Sequence, residues 1–539
     1  MTARFHRGLQ LMLKRDLIRA LSLCMSCWVV LCCCAQATSL YVAKNGSDSN
    51  NASASSPWLT IGHAAAEAQA GDTVYVGAGT YNESDLFANS GTASAPIIFN
   101  GQGVAIVDGT GVACCTTPSF ESSNNFLCCN TQGLFTIGAS SGVSYLTIEG
   151  FTIQNYKTSN KNDVPAGILI AGSGTGINIL NNTVQNIQTS AGKNGNAYGI
   201  GVFGTSSTPL SVTVSGNTVT GCLTGESETT TYNGNVQNFV VSNNTIYNND
   251  NIGMDAIGFE KVGPTGYDQA MNGDVYGNRI FNNSAFKNPG EGNEYDEDGL
   301  YCDGCANVTF ERNTLYGNDL NIEAASETKG EVSSNVIIRN NLVYAANSCG
   351  ISVGGYNKSS TGGSTGITIV NNSLYDNDTQ KTGSGEFQIQ YRATGIVFEN
   401  NIVYAGAQGL FLHGFVSGSG VTANYNDYYT TSSTTTFELN DKSYSSFASY
   451  QSATGEDKNS VFANPDYLTV PSCTSTKESG PPTPITTCSP TPNFDISTSS
   501  PAENTGNASL GSADFGTVDF SGNPRVNANG QINMGAYEQ

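Results

Sequence analysis

The chain has 539 residues, of which 44 are acidic and 22 basic, so its formal net charge is −22. This excludes proteins whose main partner is nucleic acid or an anionic membrane, because both attract clusters of Lys and Arg. Gly is abundant, with 62 residues, and charged residues make up only 12% of the chain. Such a composition is typical of an all-β fold with short strands and many turns.

The first 37 residues have the pattern of a secretory signal peptide. Basic residues between Arg4 and Arg19 precede an apolar run from Ala20 to Cys34, and Ala35-Gln36-Ala37 has the form of a cleavage site. The run is short for a membrane span. We therefore expect residues 1–37 to be removed, the mature protein to be secreted or held at the cell surface, and no later transmembrane segment. A lipid-modified Cys34 is the alternative.

Residues 38–81 predict an N-terminal cap. They contain an opening strand, a turn rich in Gly, Ser and Asn, a short helix near Thr60 to Ala70 and a strand at Thr73 to Val76. A solenoid of stacked coils needs its first apolar layer covered, and a small amphipathic helix can cover it.

One short pattern then recurs from residue 82 to 429. Versions of it are VTVSGNTV, FVVSNNTIYNND, VTFERNTLYGND, VIIRNNLVYAAN, ITIVNNSLYDND and IVFENNIVYAGA, each an alternating strand followed by Asn. Self-similarity at this spacing predicts a solenoid, in which a repeat buries its apolar face only by stacking on its neighbours. Asn side chains at the same turn of successive coils can form a hydrogen-bonded ladder. We expect this role for Asn217, Asn243, Asn244, Asn313, Asn340, Asn341, Asn371 and Asn400.

The cap and the repeats together resemble right-handed parallel β-helix proteins of the pectate-lyase-like superfamily, especially polysaccharide lyase family 9. The resemblance implies an all-β fold, with a single-stranded right-handed parallel β-helix over residues 82–429. Residues 430–539 begin with a Thr/Ser linker and continue as a tail rich in Pro, Ser and Thr. The resemblance implies that this tail is a C-terminal extension that caps the last coils or docks along the barrel. It also implies that the substrate is a polysaccharide and the protein a monomer.

Ten cysteines remain after the leader, an even number that permits disulfides in an exported chain. We expect the doublets Cys114-Cys115 and Cys128-Cys129 to cross-link one insertion, and Cys473 and Cys488 to close a Pro-rich loop. Cys302 and Cys305 have no second pair at zinc spacing, so a metal is not expected there.

Each coil also carries a second strand, usually of the form G-I-x-V-x-G, and aligning these strands predicts two outward-facing columns because side chains alternate along a strand. The third positions are Leu169, Gly201, Glu228, Asp255, Tyr301, Glu323, Ser352, Gln388 and Phe411. The fifth positions are Ala171, Phe203, Thr230, Ile257, Asp303, Ala325, Gly354, Gln390 and His413. The middle coils are thus predicted to present carboxylates, an aromatic ring and amides on one face.

This face is the predicted site, and two enzyme mechanisms fit it. In a lyase, Asp255, Asp303 and Glu323 hold Ca²⁺, which bridges to a uronate, and Lys261 removes the proton next to the uronate carboxylate. The superfamily implies such a lysine base, although DAIGFEK, residues 255–261, matches the family's Asp–Gly–Phe–Lys neighbourhood only loosely and lacks its consecutive aspartates. In a hydrolase, Asp255 acts with Asp303 in a retaining mechanism or with Glu323 in an inverting one. The resemblance favours the lyase acting on a uronate-containing polysaccharide.

The third alternative is a solenoid that binds polysaccharide or acts as an adhesin without catalysis, with Tyr301, Phe411 and Tyr391 as stacking platforms. Further side chains fall on or just beyond the same face, and we expect them to contact substrate. They are Glu228, Glu260, Tyr301, Glu327, Gln388, Gln390, Arg392 and His413.

Overall fold

The computed structural model describes residues 38–114, 131–138, 142–414, 420–478 and 480–538. The predicted signal peptide, residues 1–37, lies outside the described residues, as do Cys115, Cys128 and Cys129. Cys114 is described and is disulfide-bonded.

The cap forms at the N-terminal end of the stack. Its helix spans Ile61–Glu67, where the Thr60 side chain accepts a hydrogen bond from the backbone N–H of His63. The helix ends at Glu67, three residues before its expected boundary near Ala70, and the following residue, Ala68, has ψ near 136°. The Asn89 amide donates to the carbonyls of Ala65, Ala66 and Ala68, and so satisfies backbone acceptors that the short helix leaves open.

Two long sheets form the barrel, and their strands pair in parallel except for Lys442–Tyr444, which is antiparallel to Thr436–Leu439. The 24-stranded sheet, here sheet A, contains Ser39–Val42, Thr73–Val76, Gly79–Tyr81, Ile97–Asp108, Leu146–Gln154, Gly174–Leu180, Thr183–Gln185, Leu210–Ser215, Thr218–Thr220, Val240–Ser242, Thr245–Asn249, Asp274–Tyr276, Arg279–Asn283, Thr309–Glu311, Thr314–Tyr316, Ile337–Arg339, Leu342–Tyr344, Thr368–Val370, Ser373–Tyr375, Ile396–Glu399, Ile402–Ala405, Val421–Asn424, Asp427–Thr430 and Val461–Phe462. The 13-stranded sheet, here sheet B, contains Asp85–Phe87, Thr131–Gly138, Val164–Ala171, Tyr198–Gly204, Thr230–Gly234, Met254–Ile257, Asp298–Asp303, Leu320–Ala325, Cys349–Gly354, Gly385–Ile389, Leu410–Gly414, Thr436–Leu439 and Lys442–Tyr444. The predicted parallel β-helix is confirmed.

Smaller elements complete the chain. Short parallel sheets pair Lys157–Thr158 with Gln188–Thr189, and join Val332–Ser334, Gly363–Thr365 and Ala393–Thr394. Parallel pairing continues past residue 429, to Leu439 in sheet B and to Val461–Phe462 in sheet A. The helix Phe447–Thr454 then packs Tyr450 on Phe437, with ring centroids 4.7 Å apart, and covers the end of the core.

The core is the inside of the barrel, filled by stacked apolar side chains from both sheets. Inward residues of sheet B include Ile168, Ile200, Met254, Leu300 and Ile322, all fully buried. Burying a side chain of this size stabilises the fold by about 1.5–3 kcal/mol, and each coil gains this only from its neighbours.

The Asn residues divide into two rows. In the inner row, each Oδ1 accepts from the backbone N–H and the Nδ2 of the Asn one coil earlier, at 2.9–3.2 Å. This row is Asn182, Asn217, Asn244, Asn278, Asn313, Asn341, Asn372, Asn401 and Asn426, and the ladder prediction is confirmed for Asn217, Asn244, Asn313 and Asn341.

The other predicted ladder residues form an outer row instead. Asn243, Asn340, Asn371 and Asn400 have φ between 55° and 59°, a left-handed geometry that Asn tolerates and that turns the chain between strands. The prediction placed both members of each Asn pair in the ladder. Among the first members, Asn400 donates to Asn371 Oδ1 one coil away at 3.5 Å, whereas the prediction was wrong for Asn243 and Asn340.

The C-terminal extension docks on this outer row. Asn340 donates to the carbonyls of Phe515 and Val518, and Asn371 donates to the carbonyl of Asn533. Its strands pair as Tyr467–Thr469 with Asn493–Ile496 and as Ser472–Thr476 with Ile485–Ser489, and it also contains the helical turns Ala508–Leu510 and Ser512–Phe515. Cys473 and Cys488 form the predicted disulfide between two of these strands. Cys302 and Cys305 form a second disulfide, and Cys222 and Cys349 are buried free thiols.

Sheet B keeps the predicted register through its middle. Asp255 lies opposite Tyr301, Tyr301 opposite Glu323, Glu323 opposite Ser352, and Ser352 opposite Gln388. In the second column, Asp303 lies opposite Ala325.

The register differs at both ends of the column. Thr231, not Glu228, lies opposite Asp255, because the strand is Thr230–Gly234 and Glu228 precedes it. At the other end, His413 lies opposite Gln388, whereas Phe411 is buried in the core with its ring stacked on Phe437 at 4.9 Å. The predictions that Glu228 occupies this column and that Phe411 is an outward sugar platform are therefore wrong.

Candidate active site

A cavity of about 620 Å³ lies over the middle strands of sheet B. The floor of the cavity is formed by Asp255, Tyr301, Glu323 and Gln388. They lie on a run of five neighbouring strands, and the strand between those of Glu323 and Gln388 carries Ser352. Neighbouring strands lie about 4.8 Å apart, so this floor runs for about 19 Å along the stack. Asp255 and Tyr301 are 2% and 3% exposed. The carboxylates of the predicted face are thus enclosed and not simply solvated.

A loop walls one side of the cavity. Residues 284–297 connect a strand of sheet A to the Asp298–Asp303 strand, and Glu291, Tyr295, Asp296 and Glu297 of this loop line the cavity. The Asn288 amide fastens the loop to an earlier coil by donating to the carbonyls of Gly225 and Asp250, at 2.7 and 2.8 Å.

The cavity lining is strongly acidic. Eleven carboxyl side chains line it, and no Lys, Arg or His of the described ranges does. The eleven are Glu226, Glu228, Asp255, Glu260, Glu291, Asp296, Glu297, Asp298, Asp303, Glu323 and Glu327. Like charges at this density resist joint ionisation, so some of these groups keep their protons at neutral pH.

Glu323 and Asp298 have contrasting environments within this cluster. The Ser352 hydroxyl donates to Glu323 Oε1 at 2.7 Å. Burial raises the pKa of Glu323 to about 7, and the Ser352 hydrogen bond opposes that rise. Burial and then the charge of Glu323 raise the pKa of Asp298 well above its usual range. Asp298 Oδ1 has no hydrogen-bond partner among the described residues.

Asp255 and Asp303 form a second acidic pair. The Asp303 backbone N–H donates to Asp255 Oδ1 at 3.4 Å, and Asp303 Oδ1 accepts from the backbone N–H of Glu327 at 2.7 Å. Burial and the charge of Asp303 raise the pKa of Asp255 well above its usual range. Burial and the charge of Glu327 do the same for Asp303.

Two further predicted substrate contacts lie in the same cluster, although off the strand column. Burial and the charge of Glu260 raise the pKa of Glu228 to about 8. Burial raises the pKa of Glu260 to about 7, opposed by the Asn233 amide, which donates to its carboxylate at 2.8 Å. The cavity therefore contains Glu228, Glu260 and Glu327 beside the strand-borne acids.

Three tyrosines give the acidic cavity flat apolar surfaces. Tyr301 lies on the floor, Tyr295 lies in the loop wall with its ring stacked on Phe286 at 4.7 Å, and Tyr356 is 60% exposed. Rings in these positions suit stacking against the faces of sugar rings.

Three predicted site residues are not among the cavity-lining residues. Lys261 is exposed, and its backbone N–H donates to the Asp268 carboxylate. The Arg392 guanidinium donates to carbonyls of the 358–362 loop. His413 lies one coil beyond Gln388, with Nε2 3.2 Å from Glu438, and burial lowers its pKa.

Comparisons with known proteins identify the family. A family model described as a right handed beta helix region matches residues 166–372. Among curated proteins, the chain is 36% identical over 430 residues to an uncharacterised protein, YwoF of Bacillus subtilis (strain 168). The alignment covers 79% of this chain and 88% of YwoF. The chain belongs to this right-handed β-helix family. The right-handed β-helix fold that the resemblance implied is confirmed by these matches.

Solved structures of other β-helix proteins share the fold. XylC, solved in complex with xylose, superposes with a TM-score of 0.50 at 12% identity over 82% of this chain and 89% of its own. Pectate lyase Pel9A has a TM-score of 0.38 at 15% identity, over 93% and 96% of the two chains. Structural similarity at such low sequence identity shows only that the proteins share a fold.

The cavity of this β-helix does not present a ready-made metal centre. Across the described parts of the chain, no group of three or more His, Cys, Asp or Glu side chains is arranged to hold a metal ion. Carboxylate oxygens are ligands that Ca²⁺ prefers, so the side chains of the lining are chemically suitable for this ion. Their positions, however, do not bring three of them together around one point. Calcium binding by Asp255, Asp303 and Glu323 stays a prediction.

Several lining residues were missed by the strand alignment, namely Tyr295, Asp298 and Tyr356 and the acids of the loop wall. One signal for the loop was present in the sequence. Residues 291–298 read EGNEYDED, a dense acidic run directly before a strand that carries Tyr301 and Asp303.

Among the described residues, no helix is long and apolar enough to cross a membrane.

Proposed function

We propose that this protein is a glycoside hydrolase whose cavity cleaves an oligosaccharide or polysaccharide with Glu323 and a neighbouring acid. The observation that supports this most is the contrast between Glu323, whose carboxylate accepts a hydrogen bond from the Ser352 hydroxyl, and Asp298, whose Oδ1 has no hydrogen-bond partner among the described residues and whose pKa is raised by burial and by the charge of Glu323. Glycoside hydrolysis needs one protonated and one ionised carboxyl group on either side of the scissile bond.

The proposed steps follow from these environments. Above a pH of about 7, Glu323 is ionised while Asp298 stays protonated, because the charge on Glu323 disfavours a second charge nearby. Asp298 donates its proton to the oxygen of the leaving sugar. Glu323 then attacks the anomeric carbon or removes a proton from the attacking water. Asp255 is the other candidate acid, since its pKa is also raised.

Lyase chemistry is the alternative that the superfamily suggested. β-Elimination from a uronate needs a base beside the acidic carbon and a cation for the uronate carboxylate. The lining carboxylates could act as the base, but the described lining has no Lys or Arg to neutralise the uronate carboxylate, and Lys261 lies outside it. An anionic uronate would also meet eleven carboxyl side chains. For these reasons we favour hydrolysis.

We further propose that the protein works outside the cell. The Cys302–Cys305 and Cys473–Cys488 disulfides suit an oxidising compartment, and polysaccharides are accessible there.

The proposal is tested with purified protein and a panel of neutral, acidic and amino-sugar glycans, each with added calcium and with a chelator. Hydrolysis raises reducing ends without an ultraviolet-absorbing unsaturated product. An unsaturated product would establish the lyase instead. If the protein binds a glycan but produces neither reducing ends nor an unsaturated product, it is a non-catalytic solenoid.

Variants then assign the roles. Glu323→Gln and Asp298→Asn keep size and hydrogen-bonding capacity, and each is expected to lower kcat by at least about 100-fold if its carboxyl group transfers a proton or attacks. Asp255→Asn decides between the two acids. Asp274→Asn, at an exposed position of sheet A, is the matched control and should retain full activity.

A further inference from the structure

We propose that the cavity selects a cationic glycan, an amino-sugar polymer with free ammonium groups, over its neutral N-acylated form. This inference names the substrate class of the proposed hydrolase and rests on that function. It starts from the lining, which contains eleven carboxyl side chains and no cationic side chain of the described chain, although the charge of nearby Lys193 acts on Glu291.

An acidic lining of this kind is costly to keep without a cation. Burial together with the charges of neighbouring acids raises the pKa of Asp255, Asp303 and Glu228. A ligand cation would be attracted by every carboxylate around it and would stabilise their ionised forms. A cavity of one sign of charge also concentrates ligands of the opposite sign.

Open hydrogen-bond acceptors in the cavity are the second and independent observation. Asp298 Oδ1 and Gln390 Oε1 have no hydrogen-bond partner among the described residues, and their side chains are only 1% and 9% exposed. Both residues line the cavity. Gln390 Oε1 can only accept, so its missing partner is a donor, and Asp298, which holds its proton in the free enzyme, can still accept at the oxygen that does not carry the proton. An ammonium group offers three donors and no acceptor, and sugar hydroxyls add further donors.

An ammonium group suits this cavity better than a divalent metal ion. A metal needs several ligands converging on one point, and no group of three or more His, Cys, Asp or Glu side chains in the described residues is arranged to hold one. An ammonium group needs only one or two acceptors and is also attracted to aromatic faces. The Lys477 ammonium lies 5.5 Å from the centre of the Tyr295 ring, so this wall already attracts such a cation within the chain.

A matched pair of substrates tests the inference. Glucosamine oligomers and N-acetylglucosamine oligomers of the same linkage and length differ in charge, and a glucose oligomer of the same linkage is the neutral reference. We expect kcat/KM to be about tenfold or more higher for the free amine at low salt, since each nearby carboxylate contributes through Coulomb attraction. The advantage should shrink as salt screens the charges.

The outcomes separate the two proposals. Equal or faster hydrolysis of the neutral oligomers would overturn the charge inference and leave the hydrolase standing. Binding of glucosamine oligomers, but not of their acetylated form, without hydrolysis of any glycan would uphold the inference and remove the hydrolase. If calorimetry detects calcium binding and the protein does not discriminate between the oligomers, the cavity acids bind a metal ion and the charge inference is wrong.

A charge-removing variant checks that the cavity is responsible. Glu291 is exposed in the loop wall, and the charge of half-buried Glu226 contributes to raising its pKa, so the two lie close together at the cavity. The double variant Glu226→Gln/Glu291→Gln should reduce the preference for the free amine about fivefold, whereas Asp274→Asn should leave it unchanged. An unchanged preference in the double variant would refute recognition by these acids.

Discussion

Ser352 sets the acidity of the proposed catalytic carboxylate, and removing its hydroxyl perturbs that acidity with little change in shape. Ser352 is fully buried, and its hydroxyl donates to Glu323 Oε1 at 2.7 Å. A hydrogen bond to a charged group contributes about 1.5–3 kcal/mol. One pKa unit corresponds to about 1.4 kcal/mol. We therefore expect Ser352→Ala to raise the pKa of Glu323 from about 7 by at least about one unit.

The assay is the pH dependence of kcat/KM, which reports the essential groups of the free enzyme. Glu323 acts in its ionised form, so activity falls as pH drops through its pKa, and raising that pKa moves the acidic limb to higher pH. The wild-type limb should have its midpoint near pH 7, and the variant's limb at about pH 8 or higher. Ser364→Ala is the matched control, because this hydroxyl is also buried and has no hydrogen-bond partner in the described chain. A limb that stays in place, or moves to lower pH, would refute the assignment of Glu323.

Three further outcomes follow from the same structure. Burial raises the pKa values of Glu323 and its acidic neighbours above their unfolded values, so the native state binds more protons than the unfolded state. The free energy of unfolding should therefore be greatest below about pH 4.5 and should decline as pH rises towards 8. Calorimetry should give a higher Tm at about pH 5 than at about pH 8.5. Asn313→Ala leaves buried ladder groups without partners and should lower the free energy of unfolding by about 3 kcal/mol in denaturant titrations, against less than about 1 kcal/mol for the half-buried Asn178→Ala. Lys477→Ala removes an ammonium from the rings of the loop wall; because that charge repels a cationic substrate, KM for the free-amine oligomer should fall about two- to fivefold with kcat retained, while Lys442→Ala, exposed elsewhere, should leave steady-state kinetics unchanged.

The fold could be predicted because its signals are local and repeated. Alternating apolar strands, turn residues and Asn recur in every coil, and stacking in register follows from that repetition. The register failed at the Thr230–Gly234 strand, which lacks the usual glycine pattern. Its inward positions carry hydroxyls, and the Thr230 hydroxyl finds its partner only in the next coil, at the Gly253 carbonyl. The Tyr232 ring stacks on Phe239 from sheet A. Neither contact is visible in the strand's own sequence.

The candidate site was predictable to the extent that strands form it. Asp255, Tyr301 and Glu323 come together because they occupy equivalent positions on successive strands. Asp298 precedes the alternating part of its strand, and Tyr295 belongs to a loop, so no periodicity places either of them. Lys261 follows a strand closely in sequence, yet a turn with φ of 68° carries it away from the cavity.

The separation between a repeated interior and an outward-facing site explains how the chain can keep so many acids in one enclosed place. The ladder and the apolar interior stabilise each coil from within, so the outward carboxyl side chains of the middle coils are not needed for stacking and are free to carry costly charges. The loop wall has no such support from the repeat. It is fastened by Asn288 to an earlier coil, and by Lys287, whose ammonium donates to the carbonyl of Glu478 in the C-terminal extension. The extension therefore does more than cover the last coils, because the position of the cavity wall depends on its docking along the barrel.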